Sequence, residues 1–129
     1  MTPSPLAPAR FPELPVIDGV RFATAAAGVR YRGREDVMLA LLAPGSAVAG
    51  VFTGSATRAA PVLDCQTKIG LPADGGAAIV VNSGNANAFT GREGVVATEA
   101  VTTAVADMLG LDPKRVFSSS TGVIGELLA

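Results

Sequence analysis

The most constraining feature is a continuous apolar run, Asp36–Ala43 (DVMLALLA), with polar residues only at its start. It lacks the alternation of a half-solvated strand, so it reads as a strand buried on both faces. Pro44-Gly45-Ser46 follows as a turn signal. Ala47–Thr53 (AVAGVFT) reads as a second apolar strand, so the pair is expected to form a hairpin with a three-residue link. Both faces of both strands then need cover.

The rest of the chain supplies partial cover. Val20–Val29 (VRFATAAAGV) reads as a strand ending at a glycine, and Ala77–Asn82 (AAIVVN) as another buried strand. Ala59–Gly70 reads equally as a short helix or an extended piece. A helix is expected from Thr90, where Thr90 and Glu93 have capping-box spacing. Val101, Val105, Met108 and Leu109 would form its apolar stripe, Gly110 its left-handed stop, and Pro113 a breaker beyond it. Lys114–Phe117 starts a further strand running into Ser118–Gly122. Strand, helix and strand from Ala77 to Ser120 could make a β-α-β crossover. The expected class is α/β, a mixed β-sheet packed with helices. Residues 17–129 are read as one domain behind a proline-rich arm, residues 1–16, whose five prolines oppose helix and sheet. The arm is either a loose tail or a strap laid over another surface.

Composition narrows the chemistry. With 129 residues, 49% hydrophobic and 16% charged, the chain has ample core material and a thin polar cover. Mean hydropathy is +0.43. Such a low charge suggests that part of the surface is covered by another chain. Ten basic and eleven acidic residues, scattered, give no footprint for nucleic acid. No apolar run approaches the ~20 residues of a membrane span, and the first residues do not read as a signal peptide. There is no histidine, which excludes Ser-His and Cys-His pairs and His-ligated metal within this chain. The single cysteine, Cys65, reads as a small buried hydrophobe, and a chain without disulfides fits the cytoplasm. Neither metal nor cofactor is expected.

Two loops following strands could carry function. Asn82-Ser83-Gly84-Asn85-Ala86-Asn87-Ala88 precedes a helix N-terminus and could bind a polar group, or could equally be a tight turn bonded to itself. Ser118–Gly125 (SSSTGVIG) could aim the Thr121 hydroxyl and the Gly122 N–H in one direction, as an oxyanion hole requires. It could also be a self-satisfying Ser/Thr turn. A phosphate loop is disfavoured because the Gly-Lys-Ser/Thr ending is missing. Glu35-Asp36 reads as a solvated turn. Arg30, Arg32 and Arg34 would share one side of an extended segment, most simply an exposed strand face, otherwise a site for an anion.

The strings VVNSGNANAFTGREG and SSSTGVIGE, with AGVFT and AAPV upstream, closely resemble the ornithine acetyltransferase family, the bifunctional glutamate N-acetyltransferases of arginine biosynthesis. The resemblance runs from about Val16 to Glu126. It implies a layered αββα fold and a precursor that cuts itself before a threonine. That threonine, heading a heavy chain, would be the nucleophile, with its own α-amine as base. Acetyl would pass from N-acetylornithine to glutamate through an acetyl-threonine, releasing ornithine. The family's oxyanion pair maps onto Thr121 and Gly122. The implied assembly has two light and two heavy chains. The resemblance also implies a light chain continuing past Ala129, so a light-chain fragment without nucleophile, inactive alone, is expected. Where the family commonly has cysteine this chain has Phe89, which implies local repacking. The alternatives are a related N-terminal-nucleophile aminopeptidase or hydrolase, and a non-catalytic structural or regulatory subunit.

Overall fold

A computed structural model describes residues 5, 6, 8, 10, 12–72 and 74–128. Of the proline-rich arm, residues 1–4, 7, 9 and 11 lie outside the described residues; the others are exposed and belong to no helix or strand. The elements are β1 (Val20–Ala25), β2 (Val37–Leu42), α1 (Ala60–Lys68), β3 (Ala77–Asn85), α2 (Gly91–Leu109), a 3-10 turn (Pro113–Arg115) and β4 (Val116–Val123). The strands form one mixed sheet in the order β1-β2-β3-β4. β1–β2 and β2–β3 are antiparallel, and β3–β4 is parallel through the α2 crossover.

The expected hairpin partner of β2 is wrong. Both edges of β2 are occupied, with Val20–Ala25 on one side and Ala77–Asn82 on the other. Ala47–Thr53 therefore has no edge to pair with and is an irregular loop, with Val51 fully exposed. The turn signal itself was sound: Ser46 N–H donates to the Ala43 carbonyl at 3.2 Å, and Gly45 takes φ +81°. That turn sends the chain out of the sheet. Val48 then returns to pack against Cys65, Ala77 and Phe117.

α2 covers one face of the sheet. Ala78, Val80, Ala106 and Val116 form its core, with Val101, Val105 and Leu109 packed against it. Met108, expected in that stripe, is 80% exposed. The buried line along α2 is Gly94, Thr98, Thr102 and Ala106, four small side chains four residues apart, which allow close approach to the sheet. The expected capping box does not form. Thr90 is the N-cap but makes no side-chain cap bond: its backbone, at φ −106° and ψ 1°, is not in the extended form an N-cap uses, and its hydroxyl donates to Asn87 Oδ1 at 2.8 Å. The helix ends as expected, with Gly110 left-handed at φ +64° and its N–H on the Ala106 carbonyl.

α1 lies along the outer edge of β4. Lys68 Nζ donates to the Val116 carbonyl at 3.0 Å and Cys65 Sγ to the Ser118 carbonyl at 3.3 Å. Carbonyls two residues apart point the same way, so α1 satisfies one side of this edge strand. Lys68 also pairs with Asp64 at 2.7 Å, one turn earlier. Cys65 is buried, as its sequence context suggested. The sheet face opposite α2 is less covered: Phe22 is 68% exposed, and Met38 and Val81, paired across β2 and β3, are half-buried.

Candidate functional site

β3 and β4 run in register from Ala78 and Val116 until Gly84 meets Gly122. The register slips at Gly84–Asn85, where Asn85 opposes both Thr121 and Val123. Such an irregularity re-aims side chains at the end of a strand pair. Gly122 has φ +138°, and a Cβ there would lie 2.3 Å from the Gly84 carbonyl carbon. Only glycine lets the strands meet this closely. Thr121 and Gly122 are both exposed. With Ser83, Gly84 and Val123 they line one wall of an open groove of about 970 Å³, and Tyr31, Arg32, Gly33 and Arg34 line the other.

The asparagine loop is built as a scaffold beside this groove. Asn87 is fully buried at φ +44°. Its Nδ2 donates to the Gly94 carbonyl and to Thr98 Oγ1, both at 2.9 Å, and its Oδ1 accepts from Thr90. Asn85 Oδ1 accepts from the Asn87 N–H at 2.7 Å, and its Nδ2 donates to the carbonyls of Glu126 and Leu127. Asn82 Nδ2 donates to the Asn85 carbonyl, while its Oδ1 accepts from Ser120 Oγ at 2.6 Å. The expected tight turn bonded to itself does not form: Asn82–Asn85 complete β3, and the three asparagines mostly tie this segment to β4, the Glu126–Leu127 stretch and α2. Phe89 sits at φ +56° with 70% of its surface exposed.

The three arginines do not share a strand face. Gly33 takes φ +76° and the segment bends. Arg30 pairs with Glu126, which together with its hydrogen bond to that carboxylate raises its pKa, and Arg34 stacks on the Tyr31 ring at 4.4 Å. Asp36 was misread as solvated. It is 4% exposed, and its carboxylate accepts from the N–H groups of Ala27, Gly28 and Val29. An acid immediately ahead of an apolar strand gave the only sequence signal for it. Cys65 lies behind β4 rather than in the groove, and burial pushes its thiol pKa up. Thr121 and Gly122 are thus brought together at the groove, the asparagines support it, and the arginine segment faces it.

The sequence profile of the ArgJ family matches residues 21–129. The chain belongs to the ArgJ family. It is 71% identical over 123 residues to the arginine biosynthesis bifunctional protein ArgJ of Ruegeria pomeroyi, and 54% identical over 127 residues to that of Nitrobacter winogradskyi. These alignments cover 95% and 97% of the chain but 30% of each relative, so the chain spans about a third of their length. Among solved structures, the ornithine acetyltransferase of Mycobacterium tuberculosis complexed with ornithine superposes with a TM-score of 0.78 at 39% identity, covering 86% of this chain and 60% of that one. ArgJ from Bacillus halodurans gives 0.77 at 33% identity, covering 86% and 57%. The mixed sheet packed with helices is therefore the ArgJ fold, as the sequence led one to expect. Among the described residues no helix is long and apolar enough to cross a membrane.

Proposed function

We propose that this chain is the oxyanion-stabilising part of an acetyltransferase that moves acetyl from N-acetylornithine to glutamate in the cytoplasm. The observation that carries the reading is Thr121 beside Gly122, exposed on the groove wall at the slip between β3 and β4. A hydroxyl and a backbone N–H at such a point can donate together to one oxygen.

The nucleophile is a threonine released by self-cleavage at the head of a heavy chain, the family member's second half. Its hydroxyl attacks the acetyl carbonyl of N-acetylornithine while its own α-amine takes the proton. The carbonyl oxygen becomes an oxyanion held by the Thr121 hydroxyl and the Gly122 N–H. Collapse breaks the C–N bond, and ornithine leaves with the proton. The amine of glutamate then attacks the acetyl-threonine ester through the same oxyanion, giving N-acetylglutamate and free threonine. No cofactor enters either half. The half-open sheet face with Phe22, Met38 and Val81 supports cover by a heavy chain, in an assembly of two light and two heavy chains.

The test is Thr121→Ala in the complete enzyme. The hydrogen bond exists only to charge formed in the transition state, so kcat and kcat/KM are expected to fall together, about 100- to 1,000-fold, with KM nearly constant. Near-normal kcat in the folded variant removes the oxyanion role.

A further inference from the structure

One acidic residue beside the groove is used by none of these steps. Asp36 directly precedes β2 and is 4% exposed. Its Oδ1 accepts from the N–H of Ala27 at 2.7 Å and of Gly28 at 3.3 Å, and its Oδ2 from that of Val29 at 2.7 Å. Three consecutive N–H groups converging on one anion, with Gly28 at φ +76°, form a backbone nest. The main chain of Asp36 is tied as well. Its N–H donates to the Ala25 carbonyl at 3.0 Å, and its carbonyl accepts from the Ser83 N–H at 2.8 Å. One residue thus joins the end of β1, the loop beyond it, and β3 beside Gly84. Burial alone would raise the Asp36 pKa, but the bonds from Ala27, Val29 and Gly28 outweigh it and hold the carboxyl below its ordinary value.

Beyond the nest the chain runs close past the oxyanion pair. Arg30 follows Val29, and a Cβ on Gly84 would fall 2.9 Å from the Cβ of Arg30. Gly84 in turn abuts Gly122, with no room for a methyl between them. Arg30 also reaches Glu126, whose carbonyl is held by Asn85 Nδ2. Buried Gly84 is thus the one residue between the Arg30 segment and Gly122, and a shift of that segment reaches the pair through it.

We propose that Asp36 is a positioning residue for the oxyanion pair: by clamping residues 27–29 it presses the Arg30 segment onto Gly84 and so fixes Gly122 and Thr121 where the acetyl oxygen will sit. The proposal rests on the oxyanion reading above. It assigns Asp36 no contact with substrate and no proton transfer. Its effect is geometric, and a misplacement of about 1 Å in such a site costs on the order of 100-fold in rate.

The experiment is a double-mutant cycle in the complete enzyme with Asp36→Asn and Thr121→Ala. Asp36→Asn keeps the size of the side chain but sets an NH₂ against one of the three N–H donors. Folded Asp36→Asn is expected to lose on the order of 10- to 100-fold in kcat, with KM for N-acetylornithine within about twofold. Because Asp36 acts through the pair, of which the Gly122 N–H remains in Thr121→Ala, the double variant is expected to lose at least about threefold less than the product of the two single losses. Losses that multiply, or a kcat for Asp36→Asn within twofold of the parent, overturn the proposal. If Asp36→Asn does not fold, Asp36→Glu carries the same cycle, since it keeps the charge and moves the oxygens. Failure of both to fold shows that Asp36 serves only the fold, and overturns the proposal too. A Thr121→Ala variant with normal kcat defeats the oxyanion reading itself. A slow Thr121→Ala beside a normal Asp36→Asn defeats only the role of Asp36.

Discussion

Gly122→Ala probes how closely β3 and β4 meet, and its cost can be worked in two parts. The first is conformational. Gly122 has φ +138°, well beyond the left-handed helical region, and forcing an L-residue into such backbone costs on the order of 1–3 kcal/mol. The second is steric. The new methyl would lie 2.3 Å from the Gly84 carbonyl carbon, 2.5 Å from its oxygen and 2.6 Å from the Asn85 nitrogen. All three are backbone atoms, so no side chain can swing away, and the strands must part. Overpacking of this kind costs about 1–3 kcal/mol. The sum, about 2–6 kcal/mol, is a large share of the ~5–15 kcal/mol that holds a typical protein folded. Gly125→Ala separates the parts. Gly125 also has positive φ, at +84°, but nothing lies within 4 Å of its added methyl. It carries a positive-φ cost, smaller than that at φ +138°, with no steric part. Denaturant midpoints of the two variants in the complete enzyme, compared at equal m-values, report the difference. Gly122→Ala is expected to be less stable than Gly125→Ala by about 1–3 kcal/mol. Equal midpoints would refute the steric argument and with it the closeness of the two strands.

Two further outcomes follow from buried groups. Asn87→Ala removes the partners of Gly94, Thr98 and Thr90 inside the protein and leaves an alanine at φ +44°, so it is expected to cost on the order of 2–4 kcal/mol; a denaturant midpoint matching the parent would show that the network contributes nothing. Cys65 is buried with a raised pKa, so even at pH 8 its thiol stays protonated and iodoacetamide should label it slowly in the folded protein and rapidly in denaturant; labelling of the native protein at the rate of a free thiol would contradict this.

The elements whose own residues decide their conformation were readable from the sequence. The strands at Val37–Leu42 and at Ala77, the helix stop at Gly110 and the β-α-β crossover all follow from local pattern. What was misread depended on partners distant in sequence. Ala47–Thr53 has strand composition, but β1 and β3 had already taken both edges of β2. Thr90 and Glu93 have capping spacing, but the Thr90 backbone is not extended and its hydroxyl turns to the buried Asn87. Asp36 looks like any acid at a turn until three N–H groups from seven to nine residues earlier close on it. The Thr-Gly pair was open to a Ser/Thr-turn reading from its residues alone and stood out through the family resemblance; it lies within β4 rather than beyond it. The loop opposite it has bends and an anchor that no periodicity encodes.

The fastening of α1 along β4 gives the sheet a sealed margin and an open one. At Val116 and Ser118 the outward carbonyls are already answered by Lys68 and Cys65. A foreign strand arriving there finds its hydrogen-bonding positions taken and a helix in the way. At the other margin β1 has no neighbouring strand beyond it among the described residues, and five of its six residues are exposed. The first half of β4 is thus closed to a further strand by one lysine and one thiol, while Val20–Ala25 offers a whole open edge for more of the same polypeptide or a second molecule.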